Sequence, residues 1–341
     1  MQFDDRYRKQ TLVPQFGPEG QANLSATTIA IVGCGALGSA QAMLLARAGA
    51  GHLILIDRDV VETGNLHRQM LYSEADAAVC RPKAVAAAEH LAEANSTIRI
   101  SAEVTDLQAP VIDRLLAQAD IILDATDNYE TRFLINDWAV SCKRPWIYGG
   151  VLATGGMSAT IIPGTTACLA CIQSEAPPPG STPTCDTAGI LPPVVQAIAA
   201  IQVMEVLKLV AHKKEPAPGG VLFMDLWTGE STRIPTVRNP DCPCCVREEH
   251  LWLSGKNVSR ASRMCGRNAV HIAPPEDAPP PDLAGLAARL CGQGRVTHDD
   301  WSLHFANDRV DLIAFRDGRI LVRGTQDSAE ARTIVARWLG M

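Results

Sequence analysis

The residues of this 341-residue chain with the clearest chemical potential begin with a glycine loop. Gly33-Cys34-Gly35-Ala36-Leu37-Gly38 lies between an apolar run at 29–32 and a helical run at 39–48. This is the G-x-G-x-x-G pattern in a strand–turn–helix setting. A second apolar run, 53–56, ends in Asp57, where an acidic residue usually holds a ribose. Taken alone, this pattern predicts a dinucleotide site.

Charged residues farther along the chain change that interpretation. Asn65-Leu66-His67-Arg68-Gln69 follows the second run, Lys83 comes next, and Thr126-Asp127-Asn128 follows a later apolar run. Phosphates bind to backbone N–H groups at a helix start together with cations, here Arg68 and Lys83. Mg²⁺ takes one or two carboxylates plus phosphates, and Asp127 is a candidate ligand. The set favours a triphosphate and its metal over a nicotinamide.

Each of these residues also has a structural interpretation. Arg68 is compatible with a surface charge, Lys83 with the turn after Pro82, and Asp127-Asn128 with a cap on the helix that follows. A lone glycine loop is a weak signal. The combination, in this order, makes a purely structural interpretation improbable.

Paired cysteines form the second group. Two C-x-x-C pairs lie 70 residues apart, and their four thiols suit a closed tetrahedral zinc site: Cys168, Cys171, Cys242 and Cys245. The alternative is buried or redox thiols. Cys244 is a fifth thiol inside the second pair, and spacing alone leaves its role open.

Composition limits the class of protein. The chain is 47% hydrophobic and 20% charged, with a net charge of −6 and a pI of about 5.8. Such a balance argues against a nucleic-acid or anionic membrane partner. We find no apolar run near the roughly 20 residues that span a bilayer, and no signal-peptide pattern at the N-terminus. We therefore expect a cytoplasmic protein with reduced cysteines.

Apolar runs and helical patterns alternate through the first half of the chain. Strands are predicted at 29–32, 53–56, 98–100, 121–124 and 146–148, and helices at 39–48, 83–94, 109–117 and 130–142. This alternation predicts an α/β fold with a Rossmann-like, mostly parallel sheet covered on both faces. Residues 1–28 are expected to form an arm with a short helix and a turn at 17–20.

The second half has a different pattern. We expect antiparallel strands from about 149 to 163, a mobile Pro-rich loop at 176–181, a long apolar helix from Pro192 to about Val210, and a strand at 221–226. Beyond 250, Pro-rich stretches predict a linker at 251–282. The tail, 283–341, is predicted as a small β-α-β-β-α domain, with helices at 283–291 and 328–339, a strand at 301–306 and a hairpin of 310–315 with 319–322. Residues 1–250 would form the main domain, with a core at 29–150 and a second part at 151–250.

The combined motifs resemble the ThiF/MoeB/HesA family, bacterial relatives of the ubiquitin-activating enzymes. The resemblance covers residues 6 to about 245 and rests on Arg6-Tyr7, Gly33–Gly38, Asp57, Asn65–Gln69, Lys83, Thr126–Asn128 and Asn136. It implies a homodimer that uses Mg²⁺-ATP to adenylate the C-terminal glycine of a ubiquitin-like sulfur carrier ending in Gly-Gly. It also implies a structural Zn²⁺ on the four paired cysteines, and a sulfur donor of the cysteine-desulfurase type.

The resemblance also assigns roles. Asp57 would bind ribose, Asn65, Arg68 and Lys83 the phosphates, and Asp127 the Mg²⁺. The full set expected to bind the nucleotide is Gly33, Gly35, Ala36, Gly38, Asp57, Asn65, Arg68, Gln69, Lys83, Asp127, Asn128 and Lys9. We expect the catalytic residues to be Arg68, Lys83, Asp127 and Cys185.

Two of these assignments need comment. The family's N-terminal pattern, Arg-Tyr-x-Arg-Gln, places an arginine on the ATP of the partner subunit, whereas this chain has Arg6-Tyr7-Arg8-Lys9-Gln10. Either Lys9 or Arg8 would take that place. Cys185 stands where thiamin-type members carry a cysteine that joins the carrier through sulfur. A passive loop cysteine is the equal alternative.

Two other classes of function are open at this point. An NAD-dependent oxidoreductase accounts for the glycine loop and Asp57 but leaves Arg68, Lys83 and the cysteine pairs unexplained. A zinc scaffold without activity is opposed by the retained Arg68, Lys83 and Asp127. Within the family, adenylation of a different peptide or protein is a further alternative. The tail after 250 resembles those of some thiamin-type members, and we hypothesise that it docks a carrier or partner.

Overall fold

A computed structural model describes residues 5–177, 183, 185–211, 219–257, 269–272, 274 and 280–339. The chain divides into two compact units. The first unit comprises Met1–Asp59, Gly64–Ser73 and Lys83–Val258. The second unit comprises Val60–Thr63, Glu74–Pro82 and Ser259–Met341. The domain limits at 250 and 282 stay predictions.

An eight-stranded sheet forms the centre of the first unit. Its strands are β1 (Thr28–Val32), β2 (His52–Ile56), β3 (Arg99–Glu103), β4 (Ile121–Asp124), β5 (Trp146–Leu152), β6 (Gly155–Ile161), β7 (Val221–Asp225) and β8 (Glu230–Ile234). Their order is β3-β2-β1-β4-β5-β6-β7-β8. Pairs among β1 to β5 are parallel, and pairs from β5 to β8 are antiparallel. The predicted α/β class is therefore confirmed.

Burial of the central strands explains why the sequence predicts them as continuous apolar runs. Every residue of β2 and β4, and all but the first of β1, is buried. Central parallel strands have both faces covered, so their sequences are continuous apolar runs without alternation.

Helices of the first unit connect and cover these strands. They lie at Arg8–Thr11, Gly17–Ser25, Ala36–Ala48, Lys83–Ala94, Ile112–Leu116, Tyr129–Ser141, Leu169–Ile172, Cys185–Ala188 and Pro192–Ala211. The turn predicted at 17–20 is wrong. Those residues begin the helix Gly17–Ser25, with Pro18 at its first turn, where a missing N–H costs nothing. The helix predicted at 109–117 is shorter than expected.

Pro192–Ala211 is long and apolar enough by composition to cross a bilayer, with a mean hydropathy of 1.8. The expectation that no segment reaches this length is thus corrected. Half of the helix is buried within the protein, as in the core helix of a globular domain. Gln202 of this helix donates hydrogen bonds to the carbonyls of Asp124 and Ile147, which ties it to the sheet.

A five-stranded antiparallel sheet forms the second unit. Its strands are β9 (Ala269–Ile272), β10 (Arg295–His298), β11 (Ser302–Asn307), β12 (Val310–Phe315) and β13 (Ile320–Arg323), in the order β10-β11-β12-β13-β9. Helices lie at Glu74–Ala78, Leu283–Leu290 and Ser328–Leu339. The predicted hairpin and two helices are confirmed. The β-α-β-β-α outline is incomplete, because β10 was missed and β9 lies within the segment predicted as a linker.

Candidate functional site

Three neighbouring strands end together at the glycine loop. Val32 pairs with Ile56 of β2 and with Asp124 of β4. The residues after these strands, Gly33, Asp57 and Ala125, therefore meet at one edge of the parallel sheet. This carboxyl edge is where open α/β folds bind ligands.

The loop itself requires glycine at two positions. Gly33 has φ +91°, a conformation that side chains rarely adopt, and a Cβ there would lie 2.7 Å from the Ala125 carbonyl oxygen. A Cβ on Gly38 would lie 1.8 Å from the carbonyl oxygen of Gly33. Ala36 begins the 13-residue helix that follows, with Gly35 as its N-cap. The free N–H groups of this helix start suit an anion.

Asp57 holds the glycine loop in place through hydrogen bonds to backbone N–H groups. Its Oδ2 accepts a hydrogen bond from the Cys34 N–H at 2.6 Å, and its Oδ1 accepts one from the Asp59 N–H at 2.7 Å. Burial raises the pKa of this carboxyl, and the nearby Lys83 opposes that rise. Asp57 therefore positions the glycine loop, whatever it contacts in a ligand.

Lys83 lies at the start of Lys83–Ala94 and is almost fully buried, with 2% of its surface exposed. Its Nζ is 3.2 Å from Oδ2 of Asp59, and its N–H donates to the Asp59 carbonyl. The Tyr72 hydroxyl lies 2.6 Å from the Cys34 carbonyl oxygen and 3.3 Å from that of Lys83. The structure thus brings this cation to the glycine loop. Sequence reasoning missed both Asp59 and Tyr72.

The Asn65–Gln69 segment contributes buried amides. Asn65 and Gln69 are both buried, and among the described residues neither Asn65 Oδ1 nor Gln69 Oε1 has a hydrogen-bond partner. Arg68 is half-buried, and its guanidinium donates to the Gly64 carbonyl at 3.0 Å. Orphaned buried acceptors are costly in a folded protein. A ribose hydroxyl or a metal-bound water would satisfy them.

A buried ion pair holds the segment after β4. Arg132 donates to Asp124 Oδ2 at 3.1 Å and to the carbonyls of Thr126 and Gly149. Asp127 is exposed beside this fixed turn. The Asn128 side chain accepts from the Glu130 N–H and caps the helix Tyr129–Ser141, so the capping interpretation holds for Asn128. Arg132 was missed because its partner lies eight residues away, on the sheet.

The remaining predicted nucleotide residues lie elsewhere. Lys9 and Arg8 are both exposed on Arg8–Thr11, and Arg8 is 4.0 Å from Asp5. Cys185 begins the helix Cys185–Ala188, and its side chain lies outside the described part of the structure. The loop predicted at 176–181 also falls largely outside it.

The paired cysteines meet in one cluster. The sulfurs of Cys168, Cys171, Cys242 and Cys245 all lie within 4.8 Å of one another. Three separations are 3.7 Å for Cys168–Cys171, 3.6 Å for Cys168–Cys242 and 3.5 Å for Cys171–Cys245. Four sulfurs at about 2.3 Å from a tetrahedral zinc would be about 3.8 Å apart. The donor set and its spacing therefore fit this ion.

Cys244 borders that group without being one of its four mutually close sulfurs, and its thiol interacts with Cys168. Its sulfur accepts a hydrogen bond from Asn136 Nδ2 at 3.2 Å and lies 3.9 Å from His250 Nδ1. Asn136 Oδ1 accepts from the Leu169 N–H, so this buried amide links the two cysteine segments. Asp137, Cys244 and His250 form a second close group of possible metal ligands.

These observations define a nucleotide-binding α/β protein with a tetrathiol cluster. The ThiF family model matches residues 7–244, and the chain belongs to the ThiF family. It is 39% identical over 339 residues to the sulfur carrier protein ThiS adenylyltransferase of Bacillus subtilis, covering 98% of this chain and 99% of that one. It is 34% identical over 249 residues to the sulfur carrier protein adenylyltransferase of Thermus thermophilus, covering 72% and 91%.

Solved structures agree on the fold. The crystal structure of Escherichia coli MccB with ATP matches with a TM-score of 0.62 and 24% identity, over 71% of this chain and 75% of that one. At this identity the match shows the fold alone. The predicted family and fold are confirmed.

Proposed function

We propose that this protein is an ATP-dependent adenylyltransferase that activates the C-terminal glycine carboxylate of a ubiquitin-like sulfur carrier of the ThiS type. The observation that carries the proposal is the glycine loop with the buried Lys83 beside it. The similarity to the Bacillus subtilis relative supports the substrate, because it extends past the family's core through the whole tail.

The chemistry is an attack of the carrier carboxylate on the α-phosphorus of ATP, which releases pyrophosphate and leaves an acyl-adenylate. Two negatively charged reactants repel each other, so the site must offset that charge. The helix start at Ala36, the Lys83 ammonium and the Arg68 guanidinium would do this on the phosphates. Mg²⁺, held by Asp127, would supply further charge neutralisation when bound.

Further residues would fix the nucleotide. Asp57 would contact the ribose, and the buried side-chain oxygens Asn65 Oδ1 and Gln69 Oε1, which have no hydrogen-bond partner among the described residues, would accept hydrogen bonds from a bound polar group. Asn128 already caps a helix through its side-chain oxygen, so any contact that it makes with the nucleotide would be additional to that hydrogen bond. Asp59 would act through Lys83, since it holds the ammonium in place.

Other functions fit less well. A nicotinamide-dependent enzyme does not account for the buried Lys83, and membership of the ThiF family argues against that function. A thermal shift with ATP·Mg²⁺ but none with NAD(H) would separate the two. Adenylation of a different peptide would appear as exchange activity without any Gly-Gly carrier.

ATP–pyrophosphate exchange tests the proposal. Purified protein is assayed with a panel of carriers ending in Gly-Gly, each compared with the same carrier lacking its last glycine. Exchange with one intact carrier, absent with its truncated form, is expected. ATP binding without exchange on any carrier would reject a carrier as substrate.

We propose a homodimer in which Lys9 or Arg8 reaches the partner's ATP, because one of them takes the place of the family's N-terminal arginine and both are exposed. Replacing the contacting residue with alanine should lower exchange about tenfold or more, the value of a charge-assisted hydrogen bond. Lys9→Ala and Arg8→Ala are compared, each as the control for the other. Sedimentation should find both dimeric. Full exchange in both variants would remove the N-terminal arm from the site.

Cys185 is proposed as the residue that joins the carrier through sulfur. A donor of the cysteine-desulfurase type would supply that sulfur. A thiolate or persulfide is a suitable nucleophile toward an acyl-adenylate. Cys185→Ser should retain pyrophosphate exchange and lose thiocarboxylate formation. Thiocarboxylate is measured by mass spectrometry of the carrier. Cys142→Ser, at an exposed cysteine, is the control. Undiminished thiocarboxylate in Cys185→Ser would leave Cys185 a passive residue.

The tetrathiol cluster is proposed to hold Zn²⁺ as a closed structural site. We propose that the adenylation and sulfur transfer take place in the cytoplasm.

A further inference from the structure

A cluster of reactive groups in the second unit surrounds Cys80. This residue follows the helix Glu74–Ala78, has φ +51°, and is 5% exposed. A left-handed φ at a residue other than glycine is uncommon. Cys80 belongs to neither of the two C-x-x-C pairs.

Three strands bring partners to this sulfur. His304 of β11 places Nδ1 at 3.4 Å from Cys80 Sγ, and its Nε2 lies 2.8 Å from Asp311 Oδ1 on β12. Arg323 of β13 donates to Cys80 Sγ at 3.7 Å. The geometry is a thiol, an imidazole and a carboxylate in line, with a guanidinium beside the sulfur. A nucleophile beside a base that a third group orients is the arrangement of cysteine nucleophiles.

The charges around the sulfur favour a thiolate–imidazolium pair. Burial opposes ionisation of the Cys80 thiol, but the hydrogen bonds and charges of His304 and Arg323 outweigh it and lower the pKa. Burial likewise opposes the charged form of His304, yet Asp311 and Cys80 raise its pKa to about 9. Both nitrogens of an imidazolium donate, which matches an acceptor on each side.

The other charged groups of this cluster are paired. Arg323 contacts Glu62 at 2.7 Å and Asp311 at 3.6 Å. Next to Cys80 in sequence, Arg81 lies 3.5 Å from Asp299. The Asp311 side chain is 40% exposed, so the cluster reaches solvent there while the sulfur stays covered.

We propose that Cys80 is a nucleophilic thiol and a modification site for small hydroperoxides. The covered sulfur excludes bulky reactants such as a protein-borne persulfide, whereas hydrogen peroxide is close to water in size. Thiolates, not thiols, carry out this reaction. The site is independent of the adenylation proposed above.

The reaction balances within the cluster. The Cys80 thiolate attacks one peroxide oxygen, an S–O bond forms, and the O–O bond breaks. Sulfur is oxidised by two electrons, and the peroxide is reduced by two. The leaving hydroxide takes the Nδ1 proton of His304, which gives a sulfenic acid, water and a neutral imidazole. The Arg323 guanidinium would stabilise the negative charge on the departing oxygen.

The test measures the rate of Cys80 oxidation in the wild-type protein across pH. Full-length protein is treated with limiting hydrogen peroxide between pH 6 and 8.5, sulfenic acid is trapped, and each cysteine is quantified by peptide mass spectrometry. Cys142, exposed in the same molecule, is the internal control. An ordinary thiol is about 1% ionised at pH 6.5, and its rate rises about tenfold per pH unit. Cys80 should have a flatter profile than Cys142 and react about tenfold or more faster than Cys142 at pH 6.5.

A histidine variant separates the pair from mere burial. His304→Gln should restore a steep pH profile at Cys80, whereas His298→Gln, at an exposed histidine of β10, should not change it. If His304→Gln does not fold, the wild-type profile decides by itself. A Cys80 rate at or below that of Cys142 at pH 6.5, rising steeply with pH, would overturn the proposal.

Discussion

Replacing Asp127 with alanine should reduce ATP–pyrophosphate exchange by about 10²–10³-fold and leave the fold intact. Loss of one preorganised charge at a developing transition state has effects of this size. Among the described residues, the exposed Asp127 carboxylate makes no hydrogen bond or ion pair, so its removal breaks no packing. The rate is measured at saturating carrier with varied Mg²⁺.

Two further variants sharpen this result. Asp127→Asn keeps the side-chain shape and removes only the charge, so it should lose nearly as much exchange as Asp127→Ala. Asp300→Ala removes one exposed carboxylate from the second unit and should keep full exchange. Thermal unfolding of all three should match the wild type. Exchange in Asp127→Asn within a few fold of wild type would contradict a metal-binding role for this carboxylate.

Local sequence was sufficient wherever one segment determines its own structure. The glycine loop at 33–38 was predicted because its glycines, strand and helix adjoin in the chain, and Lys83–Ala94 was predicted with matching ends. The two C-x-x-C pairs predicted a shared metal site, because each has a recognisable ligand spacing. These features carry most of the candidate site.

Partners from distant segments were not predictable from one sequence. Cys80 and His304 are 224 residues apart, and no spacing rule joins them. The same holds for Lys83 and Asp59, which are 24 residues apart, at the two ends of the segment between β2 and the helix Lys83–Ala94. β9 and β10 were missed because neither is a continuous apolar run, and each is a strand only through its pairing, β9 with β13 and β10 with β11.

Replacing Cys245 with serine should remove the metal and destabilise the first unit by about 4 kcal/mol. A metal on these thiols cross-links segments 74 residues apart, and closing a loop of this length by a cross-link is worth about 4 kcal/mol in the chain-entropy account. Metal content of freshly purified protein is measured by mass spectrometry, with one zinc per chain expected in the wild type. The free energy of unfolding is measured by urea titration.

The neighbouring cysteine provides the matched control. Cys244 adjoins Cys245 in the chain and borders Cys168, but it is not one of the four sulfurs that all lie within 4.8 Å of one another, so Cys244→Ser should keep its zinc. Serine retains an acceptor for the Asn136 amide, which keeps the packing change small. If Cys244→Ser lost the metal while Cys245→Ser retained it, the ion would belong to the group of Asp137, Cys244 and His250. If the wild-type protein contained no zinc and neither variant changed the stability, the four thiols would be a packed cluster without a structural ion.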